Sequence, residues 1–139
     1  MENTFPLEIV TPERRFYSDD VCALTVETVG GRLSVLAGHI PMVTALSVGH
    51  LVIRTPGKRL LAFHSEGFME VFHDKVFILA QVCEWPHEID RARAETAAQR
   101  AEARLADETR SHRSRVRSNT ALSRAKHRLK AHREADKNK

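Results

Sequence analysis

The residues of this chain best suited to do chemistry are four arginines. Arg93 and Arg100 stand seven apart, and Arg124 and Arg128 stand four apart, so each pair falls on nearly one face of a helix. If the two helices fold back on each other, four guanidinium groups converge on one small site. Their forked donors match phosphate oxygens, and their flat cations can stack on a base. Asp90 and Glu84 would accept hydrogen bonds from an amino group there, or hold the arginines in place. Spacing alone leaves a plainer reading open, in which an Arg-rich helix solvates its face through weak i, i+4 pairs.

A second constellation is the turn Leu36-Ala37-Gly38-His39-Ile40-Pro41. Glycine permits a left-handed backbone and proline sets the exit, which leaves an imidazole at a loop between strands. A tight corner and a contact role for His39 are compatible readings. Other chemistries lack their residues. There is no GxxxxGK[ST] phosphate loop, no HExxH and no nucleophile beside a base motif. The eight histidines form no compact ligand set, and His127 and His132 are five apart, poor spacing for one metal. Cys22 and Cys83 form no CxxC pair and no disulfide framework, so buried free thiols are expected. No metal is required, and catalysis by this chain alone is not expected.

The elements that must position these residues divide the chain in two. All six glycines, five prolines and eight aromatic residues of the 139 lie at or before Pro86. From Phe5 to about Val82 run short, β-branched, partly alternating segments: Phe5-Leu7-Ile9, Cys22-Leu24-Val26, then 32–36, 42–46, 51–54, 60–64, 68–72 and 75–82. Thr11-Pro12-Glu13, Gly30-Gly31, Thr55-Pro56-Gly57-Lys58 and His73-Asp74-Lys75 separate them as turns. About eight to ten strands in so short a span should close into a two-layer β body. After Trp85-Pro86 the spacing becomes helical. Ala94, Ala97, Ala98, Ala101 and Leu105 mark one helix over about 88–107, and Ala121, Leu122, Ala125 and Leu129 a second over about 119–132. Residues 109–118 read as a Ser/Arg turn with frayed ends. The expected fold is α+β, a β-sandwich docking domain over 1–86 and a basic antiparallel helical hairpin over 87–139. Its alanine faces bury little area, so the hairpin should be marginally stable and easily displaced.

Charge follows the same division. Residues 1–87 carry 7 Lys and Arg against 10 Asp and Glu, whereas residues 88–139 carry 15 against 8. A net +7 second half points to an acidic or phosphate-bearing partner. Nucleic acid is one such partner, disfavoured because the helices hold no aromatic residue to stack bases. No apolar run approaches the roughly 20 residues of a membrane helix, and the first thirty residues lack a signal-peptide pattern. A soluble protein, with no direct membrane insertion, is expected.

Several segments in order make the chain resemble the epsilon subunit of bacterial-type F-type ATP synthases along nearly its whole length. They are Val10-Thr11-Pro12-Glu13, the run from Gly31-Arg32-Leu33 through Gly38-His39-Ile40-Pro41 to Thr44, Ser65-Glu66-Gly67-Phe68-Met69-Glu70-Val71, and Asp74-Lys75-Val76 with Ile78-Leu79-Ala80. The resemblance implies a non-catalytic rotor subunit of the central stalk, peripheral on the cytoplasmic face of the bacterial plasma membrane, that helps couple proton flow to ATP synthesis. Its sandwich would bind the gamma subunit and the polar loops of the membrane c-ring. Its hairpin would either fold on the sandwich or extend along gamma to the catalytic alpha and beta subunits and oppose ATP hydrolysis. Gly31, Arg32, Gly38 and His39 match the ring-facing regions. Arg32 stands where an acidic residue is common, and Ala37 and Glu66 replace a frequent Pro and Gly, so the location of that contact carries over better than its chemistry. The segment Ile89-Asp90-Arg91-Ala92-Arg93-Ala94, with Glu84, Arg100, Arg124 and Arg128, matches the motif by which some members bind ATP. ATP is then a regulatory ligand, not a required cofactor, and its binding would stabilise the folded hairpin.

Overall fold

The computed structural model describes residues 3–137, so the outermost ends of the two expected domains, Met1 and Lys139, lie outside the described residues. The chain divides into two compact units between Glu84 and Trp85. The first is built of ten strands: β1 (Phe5–Val10), β2 (Arg15–Val21), β3 (Ala23–Thr28), β4 (Gly31–Leu36), β5 (Met42–Leu46), β6 (Gly49–Thr55), β7 (Lys58–His64), β8 (Gly67–Val71), β9 (Val76–Ala80) and the two-residue β10 (Cys83–Glu84). Their ladder runs β10-β7-β6-β3-β5-β8-β9-β1-β2, with β4 on β3. A single pairing, Thr28 with Leu46, joins β3 to β5. It is the seam at which the ladder turns from one layer to the other. All the ladders are antiparallel except β1 beside β9, where Leu7 meets Val76 and Ile9 meets Ile78.

Alternation decides what each layer buries. Leu7 and Ile9 of β1, Met69 of β8 and Ile78 of β9 are fully buried from one layer, and Leu24, Val26, Leu51, Ile53 and Ala62 from the other. A period of two puts every second side chain inside, and at about 25 cal/mol per Å² these apolar groups supply most of the unit's stabilisation. His64 is also fully buried. Its Nε2 accepts the Glu27 N–H at 3.3 Å while Nδ1 lies 3.1 Å from the Ser65 carbonyl, an arrangement that suits the neutral Nδ1–H tautomer.

Strand β2 has no counterpart among the expected segments. Its sequence, Arg-Phe-Tyr-Ser-Asp-Asp-Val, is polar and carries turn-type residues. It is a strand because β1 supplies a full antiparallel partner, from Phe5 opposite Val21 to Val10 opposite Arg15. At the end of the ladder its outer side needs no apolar residues, and charges there guard against stray pairing.

The second unit begins with a 3-10 turn, Pro86–Glu88, followed by α1 (Arg91–Ala106) and α2 (His112–Lys137). Asp90 caps α1 by accepting the Arg93 N–H at 3.0 Å. The second helix differs from the sequence expectation, because residues 112–118 are helical and not a frayed turn. Ser111 is the reason: its Oγ accepts the Ser114 N–H at 3.2 Å and its carbonyl the Arg115 N–H at 3.0 Å, an N-cap that starts the helix two turns early. Arg115 then donates to the carbonyls of Leu105 at 3.2 Å and Asp107 at 3.3 Å, tying the end of α1 to the start of α2. The helices form a closed antiparallel hairpin whose seam buries Ala94 and Ala101 against Ser118 and Ala125. Ala121, expected on that seam, is exposed. Ser118, one heptad before Ala125, takes the seam position that an apolar pattern could not reveal. No helix among the described residues is long and apolar enough to cross a membrane.

Candidate functional site

Helix geometry decides which of the four arginines share a side. At 100° per residue, Arg93 and Arg100 each precede a buried alanine by one position. Arg124 precedes Ala125 by one, and Arg128 follows it by three. All four therefore lie on the same rotational side of their seams, and in an antiparallel pair the like-handed flanks face the same way. The Arg115 bond to Leu105 sets the level along the axes. Residue 93 comes beside the turn between Arg124 and Arg128, and residue 100 about one turn further toward the connection. Arg93 and Arg100 are exposed, and Arg124 and Arg128 half-buried. Of the acidic candidates, Asp90 is committed to the cap of α1, Ile89 is buried beside it, and Glu84 lies on β10, in the other unit.

Arg124 also belongs to a broader basic face that spacing did not single out. A cavity of about 620 Å³ along α2 is lined by Arg113, Arg117 and Arg124, with Val116 and Ala121 between them. The signal was present as arginines at intervals of four and seven. It was hidden because residues 112–118 did not read as helix.

In the β unit, the ring-contact candidates separate into two places. Gly31 and Arg32 open β4, and Gly38 and His39 follow its end. At about 3.3 Å per residue one strand length holds them apart. Arg32 lies directly opposite Glu27 on β3, and its Nε bonds Glu27 Oε1 at 3.0 Å. That carboxylate already answers its charge. Gly38 adopts φ +80°, a left-handed conformation that glycine accepts without strain. The His39 N–H donates to the Leu36 carbonyl at 3.2 Å, and its Nδ1 lies 2.8 Å from the Ile40 carbonyl. Each place has an exposed aliphatic neighbour, Val29 at the first and Ile40 at the second.

A third surface was not foreseen. Phe68 on β8 faces Leu79 on β9 in register, and Val43 on β5 faces Glu70, two residues along from Phe68. Paired residues, and residues two apart on a strand, share a face. Val43 (67% exposed), Phe68 (61%) and Leu79 (46%) therefore form one apolar patch on the outer side of the sheet. A contiguous patch of large apolar side chains costs free energy in water and is typical of a docking surface. Phe68 could have been found from the alternation of β8, since Met69 and Val71 of opposite parity already fill the core.

Neither cysteine offers reactivity. Burial pushes the Cys83 thiol up to about 12, outweighing the opposing pull of Arg14, and Cys22 is buried as well. Among the described residues no group of three or more His, Cys, Asp or Glu is placed to hold a metal ion.

Comparison with known proteins covers both units. Residues 4–86 match the family described as ATP synthase, Delta/Epsilon chain, beta-sandwich domain, and residues 87–133 match its long alpha-helix domain. The ATP synthase epsilon chain of Caldanaerobacter subterraneus subsp. tengcongensis is 44% identical over 131 residues, 94% of each chain. That of Ruminiclostridium cellulolyticum is 45% identical over 128 residues, 92% of this chain and 95% of the relative. Among solved structures, a chain of the Euglena gracilis mitochondrial ATP synthase (OSCP/F1/c-ring) superposes with a TM-score of 0.81 at 26% identity, covering 92% of this chain and 80% of that one. A chain of the Tetrahymena thermophila mitochondrial ATP synthase central stalk and c-ring gives 0.62 at 16% identity, over 94% and 98%, a likeness of fold.

Proposed function

The chain belongs to the ATP synthase delta/epsilon chain family, and from that premise we propose that it is the epsilon subunit of an F-type ATP synthase, a non-catalytic part of the central stalk. Its β-sandwich docks on the gamma subunit and on the polar loops of the c-ring, so that proton-driven rotation is coupled to ATP synthesis. Its hairpin regulates hydrolysis by the catalytic alpha and beta subunits. The place of work is peripheral, on the cytoplasmic face of the bacterial plasma membrane.

The observation that carries this reading is the exposed apolar face of Val43, Phe68 and Leu79 on an otherwise well-formed sandwich. A rotor subunit must hold its partner through many turns, and such a face supplies stable, water-excluding contact. The two ends of β4, at Gly31 and Arg32 and at Gly38 and His39, are the ring contacts of the same reading. The Arg32–Glu27 pair presents a neutralised charge to the ring where an acidic residue is common.

The hairpin is suited to change state. Alanine seams contribute only about 0.8 kcal/mol per buried methylene-sized group, so each contact across the closed form stabilises it little. The basic face of Arg113, Arg117 and Arg124 favours an acidic surface on the catalytic subunits once the hairpin opens. ATP on the flank of Arg93, Arg100, Arg124 and Arg128 favours the closed form, since the site requires both helices. ATP would thereby relieve inhibition through population shift.

Two measurements test the reading. Binding to the isolated gamma subunit should fall at least tenfold in Phe68→Asp with its thermal midpoint retained; unchanged affinity would remove this face from the interface. Calorimetric titration with ATP should give saturable binding that Arg93→Ala with Arg124→Ala abolishes. No binding at millimolar ATP would leave the hairpin answering to its protein partners alone.

A further inference from the structure

We propose that the other flank of the closed hairpin, across the seam from the four arginines, is a second anion site, one that takes a compact multivalent phosphate of the pyrophosphate class. Arg91 precedes Ala94 by three positions, which turns it to the opposite side of the seam from Arg93. There Arg91 and Glu95 of α1 meet Lys126, Leu129, Lys130 and Arg133 of α2 around an open cavity of about 490 Å³. Four cations thus share the cleft with one carboxylate. Glu95 answers only part of that charge, through the single contact of its Oε1 with Arg91 Nε at 3.0 Å.

The arrangement concentrates like charge. Lys126 and Lys130 are one turn apart and Arg133 is seven residues from Lys126, so all three project to one side of α2. Like charges at that spacing disfavour a helix, and bringing Arg91 alongside adds a fourth. A multivalent anion offsets this repulsion, and its oxygens suit the guanidinium forks and ammonium donors at the walls. The only ring in the lining is the His127 imidazole, whose Nδ1 lies 2.8 Å from the Ser123 carbonyl. Charge, not a base, is therefore what the cleft reads. Because Arg91 comes from one helix and the other cations from its partner, the site exists only in the closed hairpin, and binding stabilises closure by mass action. The site involves none of the four arginines and stands apart from the nucleotide reading.

The test is calorimetric titration of the full chain with sodium pyrophosphate at low and at physiological salt. The expected result is saturable one-site binding that weakens with salt. Lys130→Gln with Arg133→Gln should weaken it about tenfold, a few-fold for each charge lost at an exposed position. The charge-preserving pair Lys130→Arg with Arg133→Lys should retain it, and Arg93→Ala with Arg124→Ala should leave it unchanged. Titration without saturation would overturn the proposal, as would full binding in Lys130→Gln with Arg133→Gln. Binding lost only in Arg93→Ala with Arg124→Ala would place the phosphate on the opposite flank and overturn it equally. Helical circular dichroism of each variant separates loss of a ligand contact from loss of the hairpin.

Discussion

At Gly67 the chains of the sheet come so close that a single methyl group has no room. A Cβ there would run into the backbone of Leu79 and Ala80 on β9, and backbone cannot swing aside as a side chain can. Gly67→Ala should therefore destabilise the β unit by about 1–3 kcal/mol, the usual cost of overpacking, measurable as a shift in the urea midpoint. The thiols make a second case at this scale. With Cys83 pushed up to about 12 by burial and Cys22 also enclosed, neither should be alkylated by iodoacetamide at pH 8 until the protein is denatured. Asp107 makes a third. Hydrogen bonds from the Thr109 side chain and then its backbone hold the Asp107 carboxyl below its ordinary value of 3.8. A folded value below the unfolded one contributes stability above about pH 3.8, and that contribution is lost as the pH falls through the folded value. Thr109→Val should move the Asp107 titration upward, read by carboxyl NMR; an unmoved titration would remove the Thr109 hydroxyl as its cause.

Among the elements, α2 depends most on a single residue at its start. Ser111 is its N-cap, and Ser111→Ala should cost about 0.5–2 kcal/mol. Hydrogen exchange should show the loss as faster opening of residues 112–118, while the β unit is unaffected. The seam itself is made of Ala94, Ala101, Ser118 and Ala125, small side chains that let the helices approach closely and bury little. The same economy that weakens the hairpin makes it responsive to ligands on either flank. In the β unit the corresponding element is β8, one face of which, Met69 and Val71, completes the core while the other presents Phe68 to solvent.

For the molecule as a whole, the β unit is compact by itself and its buried apolar side chains run from Phe5 to Cys83. A chain ending at Pro86 should accordingly fold cooperatively, with a thermal transition and binding to gamma close to those of the full chain. Loss of fold on truncation would show that the sandwich needs the hairpin.

Much of this protein was legible in its residues. The division near Trp85-Pro86, the β-rich first part, two helices and the resemblance to the epsilon subunits follow from turn chemistry, from periods of two and 3.6, and from ordered motifs, all of which are local along the chain. Residues whose state is set by a distant partner were not legible. Strand β2 looks like loop until β1 pairs with it, and Ser118 looks like linker until it is buried in the seam with Ala101 and Ala125. The two flanks of the hairpin belong to the same class, because the sequence places arginines and lysines on helices, but only the antiparallel closure decides which of them face the same way. Local propensity can specify an element and its period. The burial of a side chain, and the company its charge keeps, are pair properties that exist only once the chain has folded.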